Sequence, residues 1–213
     1  MRWRRRGRGR IHRRKRSSAR FAPFQSRKTE RLSYGRRLGF EPLEERRLLS
    51  ITVNTLVDEN DGIGVGGVSL RDAIAAAAIS DTIIFAPALT AGGPAKIVLT
   101  HGEISINKSL TISGPGASLL TIDASGNDPT PNLKVGDGSR NFLIDDGNLA
   151  HKATVVIDNL TLTGGDANGD GGAIHSLEDL TISASRISGN AASADGGAIS
   201  IYKNLLILSD TVV

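Results

Sequence analysis

The five-residue sequence DGGAI occurs twice, beginning at Asp170 and again 25 residues later at Asp195. Apolar residues follow both copies at matched places, and upstream of them Leu162 aligns with Ile187 at the same interval. A period of about 20 to 50 residues is typical of chains built from stacked repeats. Since the repeat contains short runs of strand-forming residues and no helical pattern, we expect each unit to form one coil of an all-β stack.

Each coil divides into short strands separated by glycine and polar residues, which in the first clear copy are GGAIHS, LEDLTIS and SRISGN. Equivalent residues of neighbouring coils should then lie roughly 4.8 Å apart, the spacing of hydrogen-bonded strands. The glycines of DGGAI suit turns at which a Cβ atom would clash. The predicted core columns are Ile174 with Ile199, Leu180 with Leu205, and Ile182 with Ile207.

The chain before the clear repeats carries related patterns. The sequence LTISG at Leu110 matches LTLTG at Leu160 at an interval of 50 residues, which predicts that these segments stack two coils apart. Residues 127–140 break the pattern and are predicted to form a loop inserted in one coil. Apolar residues alternate with polar ones at Ile97, Leu99, Ile104, Ile106, Leu110, Ile112, Leu120 and Ile122, which are predicted core positions.

One helix is predicted, over residues 69–79. Ser69 is a natural N-cap residue, and Asp72 follows three residues later in the position of a capping box. The alanines that follow have high helix propensity. The predicted apolar face consists of Leu70, Ile74 and Ala77.

The charge distribution separates an N-terminal arm from the body. Residues 1–50 hold 18 Lys and Arg against 4 Asp and Glu, a net charge of +14, whereas residues 51–213 hold 8 and 18, a net charge of −10. Residues 1–39 are predicted to be a disordered basic leader, because they have little to bury and repel themselves. Such an arm can bind nucleic acid through phosphates. No nucleic-acid-binding fold follows it, so a nucleic-acid partner is not the expected one.

Three common structural classes are not supported by the composition. The chain has no cysteine, which excludes a disulfide framework. Its apolar runs are far shorter than the roughly 20 residues needed to cross a bilayer as a helix, so no transmembrane segment is predicted. The basic stretch is not followed by the apolar segment of a secretory signal, so the route of export is not visible in the sequence.

Residues 40–50, FEPLEERRLLS, are predicted to be a short helix or sorting motif. Pro42 suits the first helical turn, and Glu44 lies near its positive end. The segment resembles the LEPR-x-LL sorting element of planctomycete extracellular proteins, from which it departs at Glu45. The resemblance implies an extracellular or cell-surface location, with the motif between a leader and an exported repeat domain. The matching residues are Leu43, Glu44, Arg46, Leu48 and Leu49.

A second resemblance covers residues 51–213. VSLRDAI at residues 68–74 is similar to the CSLREAI element at the head of bacterial surface proteins, with Val68 in place of cysteine and Asp72 in place of glutamate. The GGAI units resemble those of polymorphic outer-membrane and adhesin-like repeat proteins. Together they imply a right-handed parallel β-helix, a pectate-lyase-like solenoid whose first coil is covered by the helix.

One segment resembles a cation-binding loop. Asp166, Asn168 and Asp170 form the opening D-x-N-x-D-G of a calcium loop, and Asp195 repeats Asp170 one coil later. The pattern then departs from a calcium loop, because its twelfth place is Leu177 and not glutamate. The alternative interpretation is a polar turn between strands. These four residues are the candidate metal ligands, and calcium is the one cofactor considered.

The expected function is that of an exported surface or cell-envelope protein, structural or adhesin-like, without catalysis in this chain. Its expected partners are cell-envelope or extracellular glycan and protein surfaces. Because the sequence stops in mid-repeat, further coils are expected beyond Val213. The alternative is the N-terminal part of a carbohydrate-active β-helix enzyme, a polysaccharide lyase or glycoside hydrolase. No nucleophile or phosphate-binding motif is present.

Overall fold

The computed structural model describes residues 49–148, 150–202 and 206–213. The leader at 1–39 and most of the segment at 40–50 lie outside the described residues. The described residues contain the helix α1 (Leu70–Ala76) and sixteen strands. The strands are β1 (Ser50–Val53), β2 (Thr82–Phe85), β3 (Ala95–Val98), β4 (Ile104–Ile106), β5 (Leu110–Ser113), β6 (Leu120–Asp123), β7 (Phe142–Ile144), β8 (Thr154–Asp158), β9 (Thr161–Thr163), β10 (Asp166–Ala167), β11 (Ile174–Ser176), β12 (Asp179–Ser183), β13 (Arg186–Ile187), β14 (Ala191–Ala192), β15 (Ile199–Ile201) and β16 (Leu206–Ser209).

The described residues form mainly strands, as the prediction of an all-β chain expects, and the strands pair in parallel sheets. The first sheet has six strands in the order β1-β2-β5-β8-β12-β16. The second contains β3, β6, β9 and β13, the third contains β4, β7, β11 and β15, and β10 pairs with β14. From β2 onward the chain passes through the first, second and third sheets in the same order four times. We call each such passage a rung.

The inward side chains of successive rungs stack in continuous columns. Ile174 pairs in register with Ile199, as predicted, and Leu162 pairs with Ile187. The longest column lies in the six-stranded sheet, where four isoleucines at successive rungs are fully buried. They are Ile83, Ile112, Ile157 and Ile182. The predicted core positions between Ile97 and Ile122 are all buried as well, because each strand alternates inward apolar residues with outward polar ones.

Two register predictions are wrong. Leu180 pairs with Leu206, and Ile182 pairs with Leu208, so the interval in this sheet is 26 residues and not 25. The extra residue lies between Ile201, which keeps the 25-residue interval, and Leu206. A shift of one residue exchanges inward and outward positions, so Ile207 faces outward opposite Thr181. Leu205 lies outside the described residues.

The match between LTISG and LTLTG also gave the wrong partner. Leu110 pairs with Val155 of β8 in the six-stranded sheet, whereas Leu160 precedes β9 of the second sheet. The two segments have the same alternating pattern but belong to different sheets. The inserted loop also lengthens one rung, so the interval between equivalent residues is no longer 25 residues there. In the second sheet, Ile122 and Leu162 are paired 40 residues apart.

Helix α1 begins as predicted and ends earlier. Ser69 Oγ accepts the backbone N–H of Asp72, and the Asp72 side chain accepts that of Ser69, which forms the expected capping box. The predicted face is buried at Leu70, Ile74 and Ala77. The helix stops at Ala76 because Ala77 adopts an extended ψ of 138°. Lys108 Nζ, from the segment between β4 and β5, approaches the last carbonyls and lies 2.9 Å from the Ala77 oxygen.

The glycines of DGGAI form the turns that the repeat predicts. Gly171 and Gly196 both have a positive φ, of 67° and 66°. A Cβ atom on Gly171 would collide with the carbonyl oxygen of Ile174, and one on Gly196 with that of Ile199. Within the described residues there is no helix long and apolar enough to cross a membrane.

Candidate metal centre

The four residues predicted as calcium ligands do not all come together. Asp166 begins β10 and is completely buried, whereas Asn168 and Asp195 are exposed and Asp170 is half-buried. Asp170 Oδ1 accepts the backbone N–H of Asp195 at 3.0 Å. Asn168 Oδ1 lies 3.4 Å from the hydroxyl of Ser193 on the same neighbouring rung. The polar groups of Asn168 and Asp170 therefore join adjacent rungs.

Asp166 belongs instead to a group of acids that the inserted loop completes. Residues 127–140 run between β6 and β7 and fold onto β10. Carboxylate oxygens of Asp128, Asp137 and Asp166 lie within 4.8 Å of one another. Asp128 and Asp166 are buried, and Asp137 is exposed at the mouth of the group. This arrangement could hold one cation with oxygen ligands.

Backbone hydrogen bonds fix the loop against β10. The N–H of Gly138 donates to the Asp166 carbonyl at 2.9 Å, and the N–H of Asp166 donates to the Ser139 carbonyl at 3.1 Å. Gly138 also forms a parallel bridge with Ala167. The Val135 N–H donates to Asp166 Oδ2 at 3.1 Å. The loop thus places its acids against Asp166 through its main chain.

Hydrogen bonds also orient the two loop acids. Asp128 Oδ1 accepts the N–H of Thr130 at 2.8 Å, which is a local turn of the kind aspartate favours. The Thr130 hydroxyl lies 3.1 Å from both oxygens of Asp137. The second oxygens of Asp128 (Oδ2) and Asp166 (Oδ1) are buried and have no hydrogen-bond donor.

A second acidic group contains Asp145, Asp146 and Glu178. Here the buried Glu178 is fully engaged, because its two oxygens accept the N–H groups of Asp146 at 3.3 Å and Ala153 at 2.8 Å. Burial raises the pKa of Glu178, and the neighbouring Asp146 carboxyl adds to that rise. A hydrogen bond from His151 at 2.7 Å, with the Asn148 amide, holds the pKa of Asp146 below its ordinary value.

The Asp58 carboxylate, beside α1, accepts hydrogen bonds at both of its oxygens. Arg71 donates to both of its oxygens, at 2.9 and 3.0 Å. The N–H groups of Thr100 and His101 donate to Oδ2 at 2.8 and 3.0 Å. Burial alone would raise the pKa of Asp58, but these hydrogen bonds together outweigh it and lower the pKa. All of its acceptor positions serve the fold, so this aspartate is structural.

Sequence reasoning found Asp166 and missed Asp128 and Asp137. The two loop aspartates lie outside the 25-residue repeat, so the repeat pattern that points to Asp166 does not include them. The sequence signal that could have found them is the pair of aspartates within the insertion at residues 127–140, which precedes the rung that contains Asp166. Comparisons with protein families, with curated proteins and with solved structures find no match.

Proposed function

We propose that residues 51–213 form a right-handed parallel β-helix, a pectate-lyase-like solenoid headed by α1, and that it belongs to an exported surface or cell-envelope protein with a structural or adhesin-like role. The support for the architecture is the repeated passage through three parallel sheets. The support for export is the resemblance of residues 40–50 to a sorting motif. The basic leader at 1–39 precedes that motif, in the order that the resemblance implies.

The observation that carries the functional proposal is the outward face of the six-stranded sheet. Its central column contains short β-branched side chains at successive rungs, namely Thr82, Thr111, Val156 and Thr181. The neighbouring column is mixed, with three serines, one isoleucine and one aspartate, namely Ile84, Ser113, Asp158, Ser183 and Ser209. A shallow groove of about 370 Å³ runs beside Thr111 and Val156.

This face suits attachment to an extended partner. Successive rungs repeat the side chains at roughly 4.8 Å, so the face presents a line of threonine hydroxyl groups that Val156 interrupts at one rung. The core behind them is a continuous cluster of buried apolar side chains, which supports the face along its length. We infer that the face binds a cell-envelope or extracellular glycan, with a protein surface as the other expected class of partner.

The alternative function, a carbohydrate-active enzyme, has one observation in its favour. Asp146 and Glu178 have pKa values shifted in opposite directions, a pattern shared with acid–base pairs. However, both oxygens of Glu178 hold backbone amides, and its side chain is buried. A catalytic acid must reach the substrate, so we favour a structural role for this pair.

The test is binding of the full chain to an immobilised panel of neutral, acidic and sulfated polysaccharides. In the double variant Thr111→Lys/Thr181→Lys, two long charged side chains cover the outward face, and we expect at least a tenfold loss of binding. Ser105→Lys/Ser200→Lys is the matched control, because both serines are outward residues of the third sheet. Equal losses in both proteins would contradict the proposed face. Release of shortened glycan products would instead support the enzyme.

A further inference from the structure

The inserted loop brings together more negative charge than the described residues nearby neutralise. Asp128, Asp137 and Asp166 contribute three carboxylates. Among the described side chains, Lys134 alone forms an ion pair with this group, and its Nζ lies 4.0 Å from Asp128 Oδ2. The lysine side chain is 37% exposed, so it is a loosely held partner. With this ammonium counted, the group retains two negative charges.

Two of the carboxylate oxygens are buried without a donor. They are Asp166 Oδ1, on a residue that is 0% exposed, and Asp128 Oδ2, on a side chain that is 0% exposed. Removing a carboxylate from water without a partner is costly, so buried acids are normally hydrogen-bonded, paired or bound to a metal. In Asp58 and Glu178, by contrast, both carboxylate oxygens accept hydrogen bonds.

The group has the chemistry of a calcium site. All of its ligand atoms are oxygens, which hard cations prefer. Calcium binds oxygen at about 2.3 to 2.6 Å, so two oxygens on opposite sides of one ion are about 4.6 to 5.2 Å apart. Oxygens that lie within 4.8 Å of one another can therefore share one ion. Because Asp137 is exposed, water molecules can reach the site from its side. They would complete the roughly six to eight oxygen ligands that calcium takes in proteins.

We propose that Asp128, Asp137 and Asp166 bind one Ca²⁺ ion, which fastens the inserted loop at residues 127–140 to strand β10. Asp166 comes from the repeat, and the other two ligands come from the loop. The ion would neutralise the remaining charge of the group and contact both buried oxygens that lack a hydrogen-bond donor. Asn168 and Asp170 are not among the ligands, since their polar groups already join neighbouring rungs, and Asp195 is exposed and lies outside this group of carboxylates.

Isothermal titration of the metal-free full chain with CaCl₂ tests the proposal. We expect one ion per chain, and at least a tenfold weaker affinity in Asp166→Asn and in Asp128→Asn. Each asparagine keeps an oxygen for the existing amide donor, so the loop contacts are preserved. Asp195→Asn is the matched control and should bind within twofold of the natural chain. Absence of saturable calcium binding, or equal losses in Asp166→Asn and Asp195→Asn, would overturn the proposal.

Thermal unfolding distinguishes a ligand from a merely structural carboxylate. At a roughly hundredfold excess over its Kd, Ca²⁺ should raise the Tm of the natural chain by about 5 °C or more. In a chelator, Asp166→Asn should unfold at the same temperature as the natural chain or higher, because an unpaired buried charge has been removed. A Tm lowered equally with calcium and with chelator would show that the Asp166 carboxylate stabilises the fold without a bound ion, and the proposal would fall.

Discussion

Asp58 shows how one residue fixes the beginning of the fold. Its carboxylate joins the loop after β1 to α1 through Arg71, and to the segment after β3 through the amides of Thr100 and His101. The Arg71 guanidinium extends this link, since it also donates to the carbonyls of Gly102 and Glu103. A single buried ion pair thus holds together three segments that are distant in the sequence.

Replacing Asp58 by asparagine should lower the free energy of unfolding by about 3 kcal/mol at neutral pH, because it leaves Arg71 without its buried partner. The lowered pKa of Asp58 means that its contribution is present above the ordinary pKa range of aspartate and disappears as pH falls through the lowered value. Urea denaturation of both proteins at about pH 7 and about pH 3 should show the difference narrowing in acid. The exposed Asp61→Asn is the control, and a difference independent of pH would contradict the assigned role.

At the scale of a single strand and its turn, the repeat motif sets the geometry. DGGAI places a positive-φ glycine just before the inward isoleucine of the third sheet, in two successive rungs. The two glycines of each motif are not equivalent in the second copy. Gly196 has a positive φ and close backbone neighbours, whereas Gly197 has neither.

Substitution of these two neighbours by alanine should therefore have very different effects. We expect Gly196→Ala to cost about 2 kcal/mol or more, because the left-handed backbone and the contact with the Ile199 carbonyl both disfavour a Cβ atom. Gly197→Ala should change stability by less than about 0.5 kcal/mol, since no atom lies within 4 Å of its added Cβ. Thermal or chemical unfolding measures both. Similar costs for the two variants would mean that the turn geometry is wrong.

For the whole molecule, local patterns in the sequence predicted the core better than they predicted the register. The inward positions from Ile97 to Ile122 followed from alternation alone, because the strands from β3 to β6 bury alternate side chains. The cap of α1 followed from Ser69 and Asp72, which act within four residues. The pairing of Leu180 with Leu206 could not be predicted in this way. An alignment at a constant 25-residue interval still matches apolar residues here, so it does not reveal the one extra residue after Ile201.

The candidate metal centre was only partly predictable for the same reason. Asp166 lies within the repeat, and its calcium-like spacing drew attention to it. Its neighbours in space, Asp128 and Asp137, lie about 30 to 40 residues earlier in a loop without a pattern. Their approach to Asp166 depends on main-chain contacts of Gly138 and Val135, and a glycine at 138 allows the close approach without indicating its partner.

The central claim is that successive rungs stack in one direction, and distances between spin labels test it most directly. The chain has no cysteine, so labels can be placed on pairs of introduced cysteines. Ser50 of β1, Thr181 of β12 and Ile207 of β16 lie in one outward column of the six-stranded sheet. Thr181 is four strands away from Ser50, and Ile207 is five strands away from it. Pulsed electron paramagnetic resonance should give mean label-to-label distances of roughly 19 Å for Ser50→Cys/Thr181→Cys and roughly 24 Å for Ser50→Cys/Ile207→Cys. The two distances should differ by one strand spacing. A second distance equal to or shorter than the first would contradict the stacked arrangement.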